Sequence, residues 1–354
     1  MAANQSGSGG GSANSQSTVP QVTSSRPRTA PDVATGRRGA PDFYIVGHEK
    51  CGTTALHLML SQHPQIFMSE IKEPRFFARE LRSRFVALGM RELPETLDEY
   101  FALFAGAAPD QCTGEASPTY LRSHFAAARI AELRPDARII ALLREPASFL
   151  RSFHLQAVNN HVESEKNFGK ALALEPARRS GRRIPPLSQA PPALLYSDHI
   201  RYVEQLRRYE AVFPPEQILV LIYEDFRRDN ATTVREVLRF LQVDDDLSIE
   251  STETQRLQAV RSLILLRTGL ALSVMRRKAA AGGPLLKALN SITPTPTSNE
   301  RFRTLWRNAI YAEQSPPDES LMLALRRRFR PEVEAVSEHL GRDLITLWGY
   351  DRLD

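Results

Sequence analysis

The stretch YIVGHEKCGTTALHLML, residues 44–60, admits few folds. A β-type run ends at Gly47, four residues lead to Gly52, and from there the apolar spacing becomes helical. A strand, a tight turn and a helix in that order aim backbone N–H groups and the positive end of the helix at one point, which is an anion site. Gly47 and Gly52 make the turn, Thr53 and Thr54 bring hydroxyls to the helix start, and Lys50 adds a point charge. A nucleoside-triphosphate loop, GxxxxGK[ST], places its lysine directly after the second glycine, where it reaches the β and γ phosphates. Here Thr53 holds that place and the lysine lies inside the loop, nearer the bridging oxygen of a shorter anion. On these residues alone a tight turn with an exposed lysine is also open.

The rest of the chain alternates β-type runs with helical patterns. Strands are expected at 42–47, 65–69, 111–117, 137–143 and 217–223, and ARIIALL (137–143) is the continuous apolar kind found inside parallel sheets. Helices are expected at 53–61, 96–104, 119–133, about 146–160, 194–212 and 229–242, with further helices in the C-terminal third. Pro146 suits a first helical turn. The prediction is an α/β fold, a parallel sheet flanked by helices with a P-loop-like phosphate site, occupying residues 41–354 as one domain. Residues 1–40 are rich in Gly, Ser, Pro and Ala without apolar periodicity, and read as a disordered tail. Residues 178–192 crowd four prolines and two arginine pairs into a surface loop, and 279–300 read as a mobile connection.

Composition narrows the function. The net charge is +5, of which the tail's Arg26, Arg28, Arg37 and Arg38 against Asp32 supply +3. A general nucleic-acid-binding surface is therefore not expected. Two cysteines, Cys51 and Cys112, form no CxxC pair, so neither a metal site nor a disulfide framework is indicated. With no secretory h-region and no apolar run of eighteen residues, the expected compartment is the cytoplasm and no transmembrane segment is expected.

A second segment, ALLREPASFLRSFHLQ (141–156), places Arg144 at a strand end and Ser152 eight residues on, in the following helix. A guanidinium there can fork onto a phosphate, and the serine can share its oxygens. Taken singly, Arg144 fits a surface ion pair equally. A magnesium-dependent NTPase carries a carboxylate at such a strand end; this chain carries a cation. Two anion sites at two strand ends suit a nucleotide with two separated phosphate groups.

The spacing G-x-x-K-x-G-T-T together with R-x7-S resembles sulfotransferases that use 3′-phosphoadenosine 5′-phosphosulfate (PAPS). IKEPRFF (71–77), GEASPTYL (114–121), the segment 196–229 and the C-terminal 325–350 are similar, in order, to the bacterial and heparan-sulfate-type branch, so the resemblance covers about residues 41–350. It implies that Lys50, Cys51, Gly52, Thr53 and Thr54 wrap the 5′-phosphosulfate, Cys51 through its backbone N–H. It further implies that Arg144 and Ser152 hold the 3′-phosphate, that Tyr223 lines the nucleotide site, and that Arg261 is a basic contact to the 3′-phosphate. Glu73 matches the family's proposed base, which takes the acceptor's hydroxyl proton, and Lys50 would offset charge on the departing phosphate oxygen. Lys72 is implied as a gate or second cation. His154 lies near a position that is a functional histidine in some relatives; a packed helix histidine is the other reading.

The chain departs from the branch as well. Arg75 and Ala78 stand where heparan-type members have histidine and aspartate, Ala116 where they have lysine, and Gln258 where relatives often have lysine near Arg261. A heparan-like polysaccharide is therefore not the acceptor the resemblance favours. The expected reaction moves a sulfuryl group from PAPS to a hydroxyl, or an amine, of a small molecule, glycolipid or carbohydrate, leaving adenosine 3′,5′-bisphosphate and needing no metal. An ATP-dependent small-molecule kinase and a noncatalytic nucleotide-binding adaptor are the competing readings. The apolar, basic-ended stretch 262–278 fits packing on the sheet, or peripheral contact with a membrane or lipid-bearing acceptor. The arginines of 178–183 read as solvated loop charges or as an attractor for an anionic acceptor.

Overall fold

The computed structural model describes residues 39–82, 93–185, 188, 191–247, 249–250, 258–281 and 300–353. All but the last two residues of the expected tail, and most of the expected connection 279–300, lie outside them. Five strands, β1 (Phe43–Gly47), β2 (Ile66–Met68), β3 (Cys112–Ala116), β4 (Arg138–Leu143) and β5 (Ile218–Ile222), form one sheet. Their order is β2-β3-β1-β4-β5 and every neighbouring pair is parallel. All carboxyl ends therefore share one edge. The chain leaves β1 for one side of the sheet and later returns to the other, so that edge opens a crevice beside β1, where open α/β sheets bind ligands.

Phe43, Tyr44, Ile45 and Val46 are wholly buried, as a central parallel strand demands. The strand is flanked tightly: a side chain on Gly114 of β3 would overlap the Phe43 ring, its Cβ lying 2.1 Å from Cζ. Helices cover the sheet and begin where the sequence offers caps. They are α1 (Thr53–Leu60), α2 (Leu97–Ala102), α3 (Ala126–Leu133), α4 (Pro146–Asn159), α5 (Tyr202–Glu210) and α6 (Asn230–Leu241). Thr96 and Glu99 close a capping box on α2, and the Glu145 side chain accepts the N–H groups of Ala147 and Ser148 at the start of α4. Beyond them, β6 (Ala259–Val260) pairs antiparallel with β7 (Tyr311–Ala312). The later helices are α7 (Leu263–Ala281), α8 (Glu300–Ile310) and α9 (Glu319–His339), of which α9 packs on α4 and α5.

Four expectations need correction. The helix expected over 119–133 starts only at Ala126, because Ser123 Oγ accepts the N–H groups of Phe125 and Ala126 and restarts the chain after a 3₁₀ turn at Pro118–Tyr120. The helix expected from 194 starts at Tyr202. Before it, the 3₁₀ turn Tyr196–His199 is drawn aside by Glu175, which accepts the Ser197 N–H at 2.6 Å, and by burial of His199 against Phe153. The arginines of the proline-rich segment are not all solvated: Glu175–Arg179 is helical, and Arg178 lies buried in an ion pair with Glu163 at 2.7 Å. Finally, the described side chains of α7 pack beside α4, β6 and α8 rather than in the core of the five-stranded sheet. Leu266 meets Val158, Val260 and Ile310, while Ile264, Leu272 and Met275 face outward. Among the described residues no helix is long and apolar enough to cross a membrane.

A buried carboxyl sits inside this core. Glu115 of β3 is fully enclosed and accepts hydrogen bonds from the Tyr100 and Tyr120 hydroxyls. Burial raises its pKa from 4.5 to about 7, against the lowering effect of the Ser117, Tyr100 and Tyr120 hydrogen bonds. The folded protein thus binds this proton more tightly than the unfolded chain. Glu115 therefore erodes stability as pH rises from 4.5 to about 7, and the loss is complete above that. Urea unfolding of Glu115→Gln against the parent across this window should show the variant gaining up to roughly 1.4 kcal/mol per pH unit in relative stability. A constant difference would mean that Glu115 does not titrate there.

Candidate functional site

The turn after β1 is built as its glycines require. Gly47 has φ 144° and a side chain there would put Cβ 2.6 Å from the Leu142 carbonyl oxygen; Gly52 has φ 91°. Lys50 between them is also left-handed, at φ 73°. Gly52 caps α1 without any side-chain acceptor, and the first bond of the helix is Leu56 N–H to the Gly52 carbonyl at 3.0 Å. The N–H groups of Thr53, Thr54 and Ala55 thus have no intrahelical acceptor and face the crevice end. Thr53 is buried and Thr54 exposed. The Cys51 N–H turns back to the His48 carbonyl at 3.3 Å, and burial pushes its thiol up, so the thiol is inert.

Arg144 follows β4, next to this turn. Its Nη1 donates to the Lys50 carbonyl at 2.8 Å and its guanidinium lies 4.4 Å over the Tyr223 ring. Tyr223, which opens the short helix after β5, also abuts the turn, since a Cβ on Gly52 would sit 3.2 Å from its ring. Three strand ends thereby meet. Burial and the neighbouring Arg144 both lower the Lys50 pKa, and Lys72 acts in the same direction. Ser152, half-buried, lies in the second turn of α4. Arg261 is exposed just after β6: its N–H donates to the Ile310 carbonyl at 2.7 Å, beside the carboxyl end of α4. Its carbonyl accepts from Lys166 Nζ at 2.9 Å.

On the other side of the turn, Glu73 is 18% exposed and held by two cations, Lys72 Nζ at 2.8 Å and Arg75 Nη2 at 2.6 Å. Burial alone would raise its pKa; Arg75 and then Lys72 bring it down to about 2. The backbone of this segment is fixed to the end of β3, Glu73 N–H to the Ala116 carbonyl at 3.1 Å and Arg75 N–H to Ser117 Oγ at 3.1 Å.

His154 is not aimed at an open site. It is 2% exposed, Nδ1 pairs with the Tyr196 hydroxyl at 2.9 Å and Nε2 with the Lys166 carbonyl at 3.0 Å. Tyr196 in turn donates to Glu163, the partner of Arg178. The sequence reading missed the residues that fix the β4–α4 junction. The Tyr202 hydroxyl donates to the Arg144 carbonyl at 2.8 Å, and the Tyr350 hydroxyl to Glu145 at 2.8 Å. Glu224 accepts the Glu145 N–H at 3.3 Å and Trp348 Nε1 at 2.8 Å. The only signal for them was Glu145 before Pro146, an acid placed to cap a helix. No cluster of three or more His, Cys, Asp or Glu side chains able to hold a metal occurs among the described residues.

A family model described as Sulfotransferase domain matches residues 40–266. Human bifunctional heparan sulfate N-deacetylase/N-sulfotransferase 3 is 29% identical over 210 residues, 57% of this chain and 22% of that protein. Human carbohydrate sulfotransferase 15 is 27% identical over 256 residues, 58% of this chain and 44% of that protein. The chain thus spans less than half the length of these relatives. A solved sulfotransferase from Alicyclobacillus acidocaldarius matches with a TM-score of 0.54 and 28% identity, over 76% of this chain and 99% of that one. With a domain model that matches all five strands of the sheet and a cation-lined strand-end crevice, the chain belongs to the sulfotransferase family, enzymes that draw their sulfuryl group from PAPS.

Proposed function

We propose that the crevice transfers a sulfuryl group from PAPS to a hydroxyl of a small molecule, glycolipid or carbohydrate. The observation that carries this is the junction of Arg144 with the Lys50 turn and Tyr223, which sets two cationic anchors and an aromatic wall at one sheet edge. The free N–H groups at the start of α1, with Lys50, hold the phosphosulfate, and the Thr53 and Thr54 hydroxyls assist. Arg144 holds the 3′-phosphate with Ser152, and Tyr223 borders the nucleotide.

In the reaction the acceptor oxygen bonds to sulfur while the bond from sulfur to the bridging phosphate oxygen breaks. Glu73 takes the hydroxyl proton, and Lys50 offsets the charge left on adenosine 3′,5′-bisphosphate. His154 supports the helix that carries Ser152 rather than the acceptor. The two human relatives, a heparan sulfate N-sulfotransferase and a carbohydrate sulfotransferase, favour a carbohydrate acceptor. The outward Ile264, Leu272 and Met275 favour an acceptor with a lipid portion or peripheral contact with a membrane.

Calorimetry should show adenosine 3′,5′-bisphosphate binding well and ATP poorly, and Arg144→Ala should weaken the bisphosphate by roughly 1.5–3 kcal/mol. A preference for ATP would overturn the donor assignment, and undiminished binding would remove Arg144 from the site. Incubation with sulfur-labelled PAPS and a host extract, followed by mass spectrometry, identifies the acceptor. In that assay Glu73→Gln should bind the bisphosphate normally while transfer drops roughly 10²–10⁴-fold. Normal transfer would exclude Glu73 as the base.

A further inference from the structure

Glu73 is unusual in its backbone as well as its partners. Glu73 and Arg75 both adopt left-handed conformations, φ 58° and 51°, on either side of Pro74. A residue before proline is steered toward extended backbone, and left-handed non-glycine residues persist only where surrounding contacts over-determine them. Those contacts are present. Besides the two bonds to the end of β3, the Phe77 N–H donates to the Tyr120 hydroxyl at 3.3 Å, and Arg82 Nε donates to the Arg75 carbonyl at 3.1 Å.

From this backbone Arg75 bonds one carboxylate and feels the charge of a second. Nη2 bonds Glu73 at 2.6 Å, and the buried Glu49, next to Lys50 in the turn, attracts the guanidinium without an ion-pair contact. Glu49 attracts Arg122 in turn, itself buried. Charges therefore alternate along Lys72, Glu73, Arg75, Glu49 and Arg122, from the half-exposed rim to the interior. Glu49 Oε2, Arg75 Nε, and Arg122 Nε and Nη1 have no hydrogen-bond partner, so charge rather than bonded geometry holds the inner part of the line. His57, from α1, feels both Lys72 and Glu73, and Lys50 feels Lys72.

We propose that Arg75 is a positioning residue for sulfuryl transfer: drawn toward Glu49 and bonded to Glu73 at 2.6 Å, it fixes the Glu73 carboxylate beside the donor turn. This rests on Glu73 being the base. Donor cradle and base are then one electrostatic unit, and the arginine in the KEPRFF segment is part of the machinery rather than a neutral exchange.

The test titrates Glu73 by carboxyl-carbon NMR on the whole chain, assigned by difference from Glu73→Gln, with adenosine 3′,5′-bisphosphate binding as the check on folding. In the parent Glu73 stays ionised down to the lowest pH at which the protein is folded. Arg75→Met, or Arg75→Gln should Met not fold, raises the midpoint by about 1–3 pH units, and Arg75→Lys keeps it low. Labelled transfer into host extract then gains an acid limb at about pH 4–6 in the neutral variants only. Losses of melting temperature from Glu49→Gln and Arg75→Met are smaller together than their sum. An unmoved Glu73 midpoint with bisphosphate binding retained overturns the hold of Arg75, and additive melting losses overturn the anchoring by Glu49. Undiminished transfer in Glu73→Gln instead overturns the base reading, and with it the part of Arg75 in transfer. A fixed midpoint beside lost Glu73→Gln transfer sinks Arg75 alone.

Discussion

The hydrogen bond from Arg144 to the Lys50 carbonyl ties the end of β4 to the turn that follows β1, although 94 residues separate them. Because β1 and β4 pair in parallel along their length, their ends emerge side by side, and the guanidinium needs only to bend back across one strand spacing. The same group lies over Tyr223 at the end of β5. A single cation thus fixes the relative position of three strand ends. The spare N–H groups of α1, the charge of Lys50 and the aromatic wall all take their geometry from it.

A second set of charges organises the opposite flank. Burying a carboxylate is costly unless cations accompany it. Glu73 meets that requirement with Lys72 and Arg75, and the deeper Glu163 with a bidentate Arg178 and the Tyr196 hydroxyl. The two solutions differ in consequence. Glu163 is sealed and serves the fold, whereas Glu73 keeps part of its surface open at the crevice.

Sequence patterns carried the sheet well, because continuous apolar runs bounded by turn residues have few other outcomes, and the five expected strands coincide with β1 to β5 within a residue or two. The turn was legible for a related reason: at Gly47 a side chain would overlap the Leu142 carbonyl, and Gly52 needs a left-handed φ of 91°. What stayed hidden depends on distant partners. Nothing local says that Arg178 is buried, since Glu163 lies fifteen residues away; nothing local says that His154 is occupied, since Tyr196 is forty-two away. Helix 194–212 had the right periodicity and was cut short by tertiary bonds from Glu175. The left-handed pair around Pro74 runs against its own sequence preferences, and the bonds that hold it come from the end of β3, Tyr120 and Arg82.

Trp348 and Tyr350 latch onto Glu224 and Glu145, the latter contact spanning 205 positions. During synthesis the sheet can therefore assemble long before its binding edge is secured. A nascent chain halted short of residue 350 would carry the strands, the turn and the guanidinium, yet leave the β4–α4 corner unbraced. The corner that carries Arg144 is thus secured only by residues lying well beyond the last strand of the sheet.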